Sequence, residues 1–573
     1  MNKVSSEVQG IVRGLIFGAG VLGAVGMATP VYAADDVEEV VVTGSRVRGA
    51  APVGSAVTTL GREEITSAPQ VSLDRIIKDI PQNFDLGVSE NSRGQSGGAG
   101  NIVYGNTVNL RGIGPYATLV IIDGHRAVNN SRSIDPSMLP TLGVERVEVV
   151  ADGASAIYGS DAVAGVVNII PRRALDGVEA FGRYGLASEG GYSENVIGAA
   201  WGKVGARGQV MLAYEHAHKS NLNGDDRDFF VNDQRAFGGR DYRVTRCNPG
   251  TLKIGATTYA IPAGGLTTAN VGSLVAGTTN LCNELPGQDL SPEQTYNSLS
   301  GTGTFEFNDR VSVFADGFYS ERDFVRLPSY AVATLTVPQT NAWFVRPTGF
   351  TGTSYTVDYS FINDLPRNQS YGRAQNWEIS PGLRIKLPAK WQFEAVMTYG
   401  KNHDDSTSVN GTNNTALNAA LASSDVNAAF DPYGLNRTAQ SVRTAIANQI
   451  FLAPTLNKFV GYEARLNGSL YTLPGGDVGL AAGYEGQKQD VDLGSARGNP
   501  GTAIVYRSFS RQVDSGYAEV MIPFVGAGNA RPGIRRLALD AAVRYDKYDD
   551  VGSTTNQKFG ASWSPTDTLA LRG

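Results

Sequence analysis

Apolar and polar residues alternate along many segments of this chain from residue 177 onward, and this pattern constrains the fold most. In residues 536–545, leucine, alanine and valine share one face of an extended segment, while Arg536, Asp540 and Arg544 share the other. A period of two predicts strands with one apolar face. That face could be the core of a soluble sandwich, or it could meet lipid around a membrane β-barrel whose polar face lines the lumen.

The connections between the predicted strands distinguish these two folds. Short turns are predicted at residues 202–206, 308–310, 387–390, 473–477 and 564–568. Long polar stretches separate them, at residues 217–297, 324–372, 404–457 and 489–503. A membrane barrel has short turns at one end and long loops at the other, whereas a sandwich has no reason to sort its loops. We therefore expect a barrel, with about thirteen strand candidates in this chain.

The N-terminus reads as a secretory signal peptide. Lys3 and Arg13 precede an apolar run at residues 15–27, and Val31-Tyr32-Ala33 ends the segment. This order predicts cleavage after residue 33 or one residue later. No later stretch is a continuous apolar run long enough for a spanning helix, for which about 18 residues are needed. An exported chain of this kind is periplasmic, secreted or a β-barrel.

Residues 109–173 form a compact α+β pattern. Three short apolar runs, at residues 119–122, 147–150 and 166–170, predict strands. Residues 154–158 predict a helical turn closed by glycine. Upstream, residues 72–80 carry isoleucine and leucine at helical spacing, and a proline follows them.

The same region carries a family resemblance. The sequences NLRG, VIIDG and VERVEVV followed by SAIYGSDAVAGVVNII resemble the plug domain of TonB-dependent outer-membrane receptors. The resemblance implies an antiparallel membrane β-barrel of about 22 strands enclosing a small α+β plug. Because only about thirteen strands are predicted, the chain is expected to be a C-terminally truncated receptor. The implied division is a signal peptide at 1–33, a TonB-box segment at 34–48, a plug at 49–175 and the first part of the barrel at 176–573.

The resemblance also implies roles for individual residues. An exposed strand that can add to a partner's sheet edge would contact TonB in the periplasm within residues 37–44, through Glu39, Val40, Val41, Val42 and Thr43. Arg111 matches a plug arginine that pairs with barrel glutamates and holds the plug in place. Outward plug loops would contact the ligand through Arg93, Tyr104, Arg126, Asn130 and Arg132.

Composition excludes several other functions. The net charge of −6 gives no basic surface for a nucleic acid. Cys247 and Cys282 lie in one glycine- and threonine-rich loop, where a disulfide is favoured over two free thiols. His216 and His218 could share a strand face, but no third ligand is placed beside them, so no metal site is predicted. No catalytic set or phosphate loop is found, and we expect neither a cofactor nor an enzyme.

The first functional hypothesis is active uptake across the outer membrane of a Gram-negative bacterium, energised by the proton gradient through TonB. The ligand would be large or scarce: a ferric siderophore, a corrinoid or an oligosaccharide. A non-energised adhesin or passive pore is the alternative, and a nonfunctional truncated product is a third possibility. The expected partners are TonB, outer-membrane lipid and an external ligand.

Overall fold

The computed structural model describes residues 43–49, 52–68, 72–84, 102–129 and 134–573. The predicted signal peptide and most of the predicted TonB-box segment lie outside these residues. In the part that the structure describes, no helix is both long and apolar enough to cross a membrane.

A small α+β unit, which we call the inner domain, contains a five-stranded sheet in the order β1-β4-β5-β2-β3. Strands β2 and β5 are parallel, and the other neighbours are antiparallel. The strands are β1 (Thr58–Leu60), β2 (Thr118–Ile122), β3 (His125–Arg126), β4 (Val144–Val150) and β5 (Gly165–Pro171), and the helices are α1 (Arg62–Ser67), α2 (Leu73–Lys78) and α3 (Ser155–Tyr158). Short 3-10 turns lie at Pro115–Ala117, Pro136–Met138 and Thr141–Gly143.

The apolar spacing of the sequence explains the core of the inner domain. The three predicted apolar runs form β2, β4 and β5, and the predicted turn forms α3. Leu73, Ile76, Ile77 and Ile80 follow one another at helical spacing and are buried in the same cluster as β2, β4 and β5. Helix α2 ends at Lys78, two residues before Ile80, and Pro81 directly follows Ile80.

A 14-stranded antiparallel sheet, which we call the wall, makes up most of the remaining structure. Neighbours in the wall are consecutive along the chain apart from external segments, so its topology is up-and-down. Its strands are β6 (Gly177–Leu186), β7 (Ser193–Gly205), β8 (Gly208–Lys219), β13 (Glu293–Glu306), β14 (Val311–Arg326), β17 (Gln369–Lys386), β18 (Gln392–Gly411), β19 (Gln449–Leu452), β20 (Thr455–Leu473), β21 (Gly476–Gly498), β22 (Val505–Val525), β23 (Arg536–Tyr548), β24 (Gly552–Ser564) and β25 (Leu571–Arg572).

The connections of the wall sort as the sequence predicts. The predicted short turns join β7 to β8, β13 to β14, β17 to β18, β20 to β21 and β24 to β25, all at one end, the turn end. The long excursions leave from the opposite end, the loop end. Five aromatic side chains of the wall are exposed: Trp201, Tyr214, Tyr399, Tyr545 and Trp563. Tyr548 differs from them because its hydroxyl donates to Ser160 of the inner domain at 3.2 Å.

Three long loops at the loop end fold together into one unit, which we call the external module. It contains a four-stranded sheet, a two-stranded sheet and two helices. Leu252, Val357 and Leu417 come from three different loops and are buried in one hydrophobic cluster. The elements are β9 (Leu222–Asn223), β10 (Thr251–Ile254), β11 (Thr257–Ala260), β12 (Asp289–Ser291), β15 (Val332–Pro338), β16 (Ser354–Ser360), α4 (Asn414–Ala422) and α5 (Gln440–Ile446), with 3-10 turns at Gly224–Asp226, Arg235–Phe237 and Val271–Ser273.

A disulfide joins Cys247 to Cys282 within the external module, which confirms the predicted pairing. Cys247 is buried, and its carbonyl accepts a hydrogen bond from the main chain of Ser360 at 2.9 Å. The disulfide therefore fastens the first loop at the point where that loop meets β16.

The wall surrounds the inner domain. Arg183 of β6 donates to the Ala68 carbonyl at 2.8 Å, and Arg322 of β14 pairs with Asp135. Contacts continue to β23 through Tyr548. Because a folded domain lies within the sheet, the polar face of each strand meets protein and lumen, and the apolar face points outward. This arrangement confirms the barrel prediction over the sandwich.

Candidate functional site

Residues 43–49, which we call the strap, run between the inner domain and the wall. Thr43 is fully buried. Its hydroxyl donates to Glu148 of β4 at 2.6 Å and accepts from the Asn168 amide of β5 at 3.0 Å. The predicted TonB-contact residue Thr43 is thus fixed to the inner domain. The other four, Glu39, Val40, Val41 and Val42, lie outside the described residues.

Arg46 is the centre of the strap's contacts with the wall. Its guanidinium donates to Glu463 of β20 at 3.0 Å and to Glu485 of β21 at 3.5 Å. The same group lies 4.7 Å from the ring centroid of Tyr158 and 4.9 Å from that of Tyr517. Only 4% of the Arg46 side chain is exposed. A buried arginine of this kind needs its carboxylate partners, since an unpaired buried charge costs several kcal/mol.

The main chain of the strap is held as well. The Arg46 amide donates to the Glu519 carboxylate of β22, and the Gly44 amide donates to the Tyr158 hydroxyl at 3.2 Å. Val47 packs in a small apolar cluster with Ala481 of β21. The strap therefore contacts three neighbouring strands of the wall and the inner domain at the same time.

His125 and Arg126 extend the charge cluster from the inner domain. Arg126 donates to Glu485 at 2.8 Å and to Asp161 at 2.6 Å. The Nδ1 atom of His125 lies 2.9 Å from Glu463. Burial lowers the pKa of His125, but the hydrogen bond and negative charge of Glu463 outweigh it, so the pKa is raised above its ordinary value. A charged imidazole suits this position because Glu463 then has a second cationic partner.

A second set of contacts joins the inner domain to β14 and β8 of the wall. Arg173, just after β5, donates to Asp316 of β14 at 2.6 and 2.8 Å. Arg173 also bonds Asp123, which follows β2, at 2.6 Å. Glu215 of β8 accepts from the hydroxyl of Thr141 at 2.7 Å. The inner domain is therefore tied to the wall by buried polar groups on several sides.

Arg111 differs from its expected role. Its ion pair, at 3.9 Å, is with Asp152 of the inner domain, and 40% of its side chain is exposed. An exposed pair of this kind is worth about 0–1 kcal/mol. The contacts expected between a plug arginine and barrel glutamates are made instead by Arg46 and Arg126.

The predicted ligand residues divide into two groups. Tyr104 is buried, and its ring meets Phe324 of β14 with centroids 5.1 Å apart. Arg126 is engaged by Glu485, as described above. Both residues thus lie between the inner domain and the wall rather than on an open loop. Arg93, Asn130 and Arg132 lie outside the described residues.

His216 and His218 lie on the outward face of β8. Each ring hydrogen-bonds a side chain of the neighbouring strand β13, Asn297 at 3.0 Å and Thr295 at 3.1 Å. Both imidazoles therefore form side-chain hydrogen bonds between neighbouring strands.

Sequence reasoning missed Arg46 and Arg173. A signal was available, because each arginine lies three residues after a run rich in β-branched residues, at residues 40–43 and 166–170. Their partners were also visible as acidic residues on the inward face of wall strands, at Glu463, Glu485 and Asp316. What the sequence did not supply was the pairing of one set with the other across hundreds of residues.

The strap cluster consists of buried charged side chains that are paired with one another. Every buried cation in the strap cluster has a carboxylate beside it, and the hydroxyls of Thr43 and Tyr158 are engaged in hydrogen bonds. Such a cluster can hold a segment in place and release it when the segment is pulled.

Comparison with known proteins identifies the inner domain. Residues 51–166 match the model of the TonB-dependent receptor plug domain. Among solved structures, the chain is similar to the ferric enterobactin receptor PfeA of Pseudomonas aeruginosa, with 17% identity and a TM-score of 0.54, over 90% of this chain and 61% of that one.

Two further solved structures show the same fold. The siderophore receptor PirA of Acinetobacter baumannii is 15% identical, with a TM-score of 0.51, over 90% of this chain and 60% of that one. The ferric citrate transporter FecA is 11% identical, with a TM-score of 0.52, over 91% and 62%. The chain spans about three fifths of the length of these structures. Residues 51–166 are thus similar to the plug domain of TonB-dependent receptors, and the chain shares the fold of the solved receptors, a plug domain enclosed by an antiparallel β-barrel wall.

Proposed function

We propose that this protein takes part in TonB-dependent active uptake of a scarce or large ligand across the outer membrane of a Gram-negative bacterium. The domain division that we propose is a signal peptide at residues 1–33, a TonB-contact segment at 34–48, a plug at 49–175 and a barrel segment at 176–573. The plug match and the barrel fold support this proposal.

The observation that carries it is the burial of the strap between plug and wall. The proposed TonB-contact segment, residues 37–44, overlaps the start of the strap. A strand of TonB would pair with this segment through main-chain hydrogen bonds. A pull on the contact segment would first load the bonds of Thr43 with Glu148 and Asn168, and then, three residues further along the chain, the Arg46 contacts with Glu463 and Glu485.

The strap also connects the contact segment to the plug sheet. Thr43 is bonded to β4 and β5 through Glu148 and Asn168. Force on the contact segment would pass to the plug sheet through these two bonds, and to the Arg46 contacts with the wall if they break. The proton gradient of the inner membrane would supply the work through TonB, and movement of the plug would open a path for the ligand.

The ligand that we propose is a ferric siderophore, a corrinoid or an oligosaccharide. The similar structures are receptors or transporters for ferric enterobactin, ferric citrate and siderophores, so ferric siderophores are the first class to test. Arg93, Asn130 and Arg132 remain proposed ligand contacts. Tyr104 and Arg126 would act through the plug–wall interface that they occupy.

The test is deletion of residues 37–44. A strain lacking the chromosomal gene is complemented with wild type or with the deletion variant, and growth is scored on panels of ferric siderophores, corrinoids and glycans. We expect wild type to restore growth on at least one ligand and the deletion variant to fail on it, although both reach the outer membrane equally. Growth that survives the deletion would instead support a non-energised pore or adhesin. Heat-modifiable migration on a gel checks that the chain forms a closed barrel.

A further inference from the structure

A cavity lies between the strap and the wall, close to the turn end. The strap forms one side of it, and the inward faces of β17, β18 and β20 form the other. The cavity measures about 430 Å³ together with the solvent at its mouth. Arg384 of β17 is 18% exposed, and Arg48 of the strap is also partly exposed. Small solutes can therefore reach this cavity, which we call the strap cavity.

Three charged residues form a row across the wall side of the strap cavity. Arg384 of β17 and Arg465 of β20 are the direct cross-strand neighbours of Glu394, which lies on β18 between them. Both arginines donate to the Glu394 carboxylate, Arg384 at 2.6 Å. Among the lining residues that the structure describes, Glu394 is the one carboxylate, and the strap adds the guanidinium groups of Arg46 and Arg48. The lining is therefore positively charged.

The carboxylates just outside the strap cavity are shared with other cations. The two glutamates that Arg46 contacts each have a further cationic partner in the inner domain, as described above. Asp123 lies 3.9 Å from Arg384 but 2.6 Å from Arg173. These groups therefore leave room for a further anion beside the arginines of the cavity.

Two buried polar atoms of the strap cavity point to a bound molecule. The Nε atom of Arg465 and the Oδ1 atom of Asn467 are buried, and neither has a hydrogen-bond partner among the described residues. Asn467 is 8% exposed and lies two residues from Arg465 on the same face of β20, opposite Gln392 of β18. Buried polar atoms in folded proteins are nearly always satisfied, by water or an ion where protein does not serve. One donor and one acceptor thus await a partner in the same cavity.

We propose that the strap cavity binds inorganic phosphate. The oxygens of phosphate accept hydrogen bonds from guanidinium groups, whose planar donors match them in geometry and charge. At neutral pH phosphate also keeps at least one O–H group, which can donate to the Asn467 amide oxygen. Sulfate has the same shape but carries no proton at neutral pH, so Asn467 would distinguish the two ions.

A phosphate ion in this cavity would join the strap to the wall, because it would lie between Arg48 on one side and Arg465 on the other. Binding of phosphate requires neither TonB nor a transported ligand. The proposal therefore goes beyond the proposed function and can be tested without it.

The test measures ion binding by the full chain in detergent, in a phosphate-free buffer of constant ionic strength. Isothermal titration calorimetry compares phosphate with sulfate for wild type and three variants. Arg465→Gln removes the unpartnered donor and its charge, while Glu394 keeps Arg384 beside it. Asn467→Leu removes the acceptor at nearly the same side-chain size. Arg207→Gln is the matched control, because Arg207 is exposed in the turn between β7 and β8 at the same end of the wall.

We expect wild type and Arg207→Gln to bind one phosphate per chain with the same affinity, and sulfate at least about tenfold more weakly. Arg465→Gln should lower the affinity for phosphate about tenfold or more, because hydrogen bonds to charged groups are among the stronger ones. Asn467→Leu should lose the preference for phosphate over sulfate.

Absence of phosphate binding by wild type would overturn the proposal, since the cavity would then hold solvent alone. Equal affinity of wild type for sulfate would also overturn it. So would wild-type affinity in Arg465→Gln and an unchanged preference in Asn467→Leu, with heat-modifiable migration showing that both variants fold. Failure of uptake with phosphate binding intact would affect the proposed function alone.

Discussion

Removal of the Arg46 side chain should release the strap and make TonB bind more tightly in the absence of ligand. Breaking a buried ion pair by removing one partner costs about 3–5 kcal/mol. The lower end applies here, because Glu463 keeps His125 beside it and Glu485 keeps Arg126. A loss of about 3 kcal/mol changes the equilibrium between docked and released strap by about a hundredfold.

That shift is measurable as affinity. A segment that binds only when released has an apparent Kd that falls as the released fraction rises. We therefore expect Arg46→Ala to bind the periplasmic domain of TonB about a hundredfold more tightly than wild type, provided that wild type is mostly docked, as the burial of the strap indicates. The assay is surface plasmon resonance with the purified receptor in detergent and no ligand present. Arg46→Lys keeps the charge but loses the fork of donors, so it should fall between the two.

A matched control separates this effect from a general change of charge. Lys203→Ala removes a cation whose ion pair with Asp176 is exposed on both sides, at 65% and 57%. Such a pair contributes about 0–1 kcal/mol, and the variant should bind TonB as wild type does. If the affinity of Arg46→Ala for TonB is within about threefold of that of wild type while its heat-modifiable migration is unchanged, the Arg46 contacts do not restrain the TonB-contact segment.

Three further predictions concern the plug and the external module. Because the pKa of His125 is raised in the folded state, its contact with Glu463 stabilises the folded protein fully below the ordinary histidine pKa, and this contribution is lost as pH rises through the raised pKa. The free energy of unfolding in urea should therefore fall across this pH range in wild type and not in His125→Gln. Gly165→Ala should destabilise by several kcal/mol, because φ is +140° and a Cβ would lie 2.2 Å from the Val150 carbonyl; a thermal melt that matches wild type would contradict this. Replacing Cys247 and Cys282 together by serine should lower the stability of the external module by about 2–4 kcal/mol. Amide hydrogen exchange should become faster in β16 and stay unchanged in β20–β22. An equal increase in all of these strands would count against a separate module.

The strands and turns of this protein are predictable from sequence because their signals are local. A period of two over ten residues specifies which face of β23 is apolar, whatever the strand pairs with. The apolar runs of the plug are similarly self-contained. The sequence prediction therefore has β2, β4, β5 and α3 of the plug and the short turns of the wall in the correct order, whereas the external module was predicted only as long polar stretches. The resemblance to a plug supplies the enclosure.

The site is harder to predict because its contacts are not local. Arg46 and Glu463 are 417 residues apart, and nothing near either residue indicates the other. The motif alignment favoured Arg111, which occupies a familiar position but pairs with Asp152 on the plug surface. Which arginine meets the wall depends on the path of the strap and on strand register. Both are set by packing of the whole barrel, and neither can be read from a window of residues.

The shared core of the external module limits how the loop end of this barrel can change. Leu252, Val357 and Leu417 belong to loops that are far apart in the chain but bury one another. A single loop could not swing as an independent flap without exposing the apolar side chains of the other two. If recombination with a related protein exchanged one of these loops, its apolar side chains would no longer match those of the other two loops in the shared core. Loops at this end of the barrel are therefore expected to be inherited, and to be transplantable in the laboratory, only as a set of three.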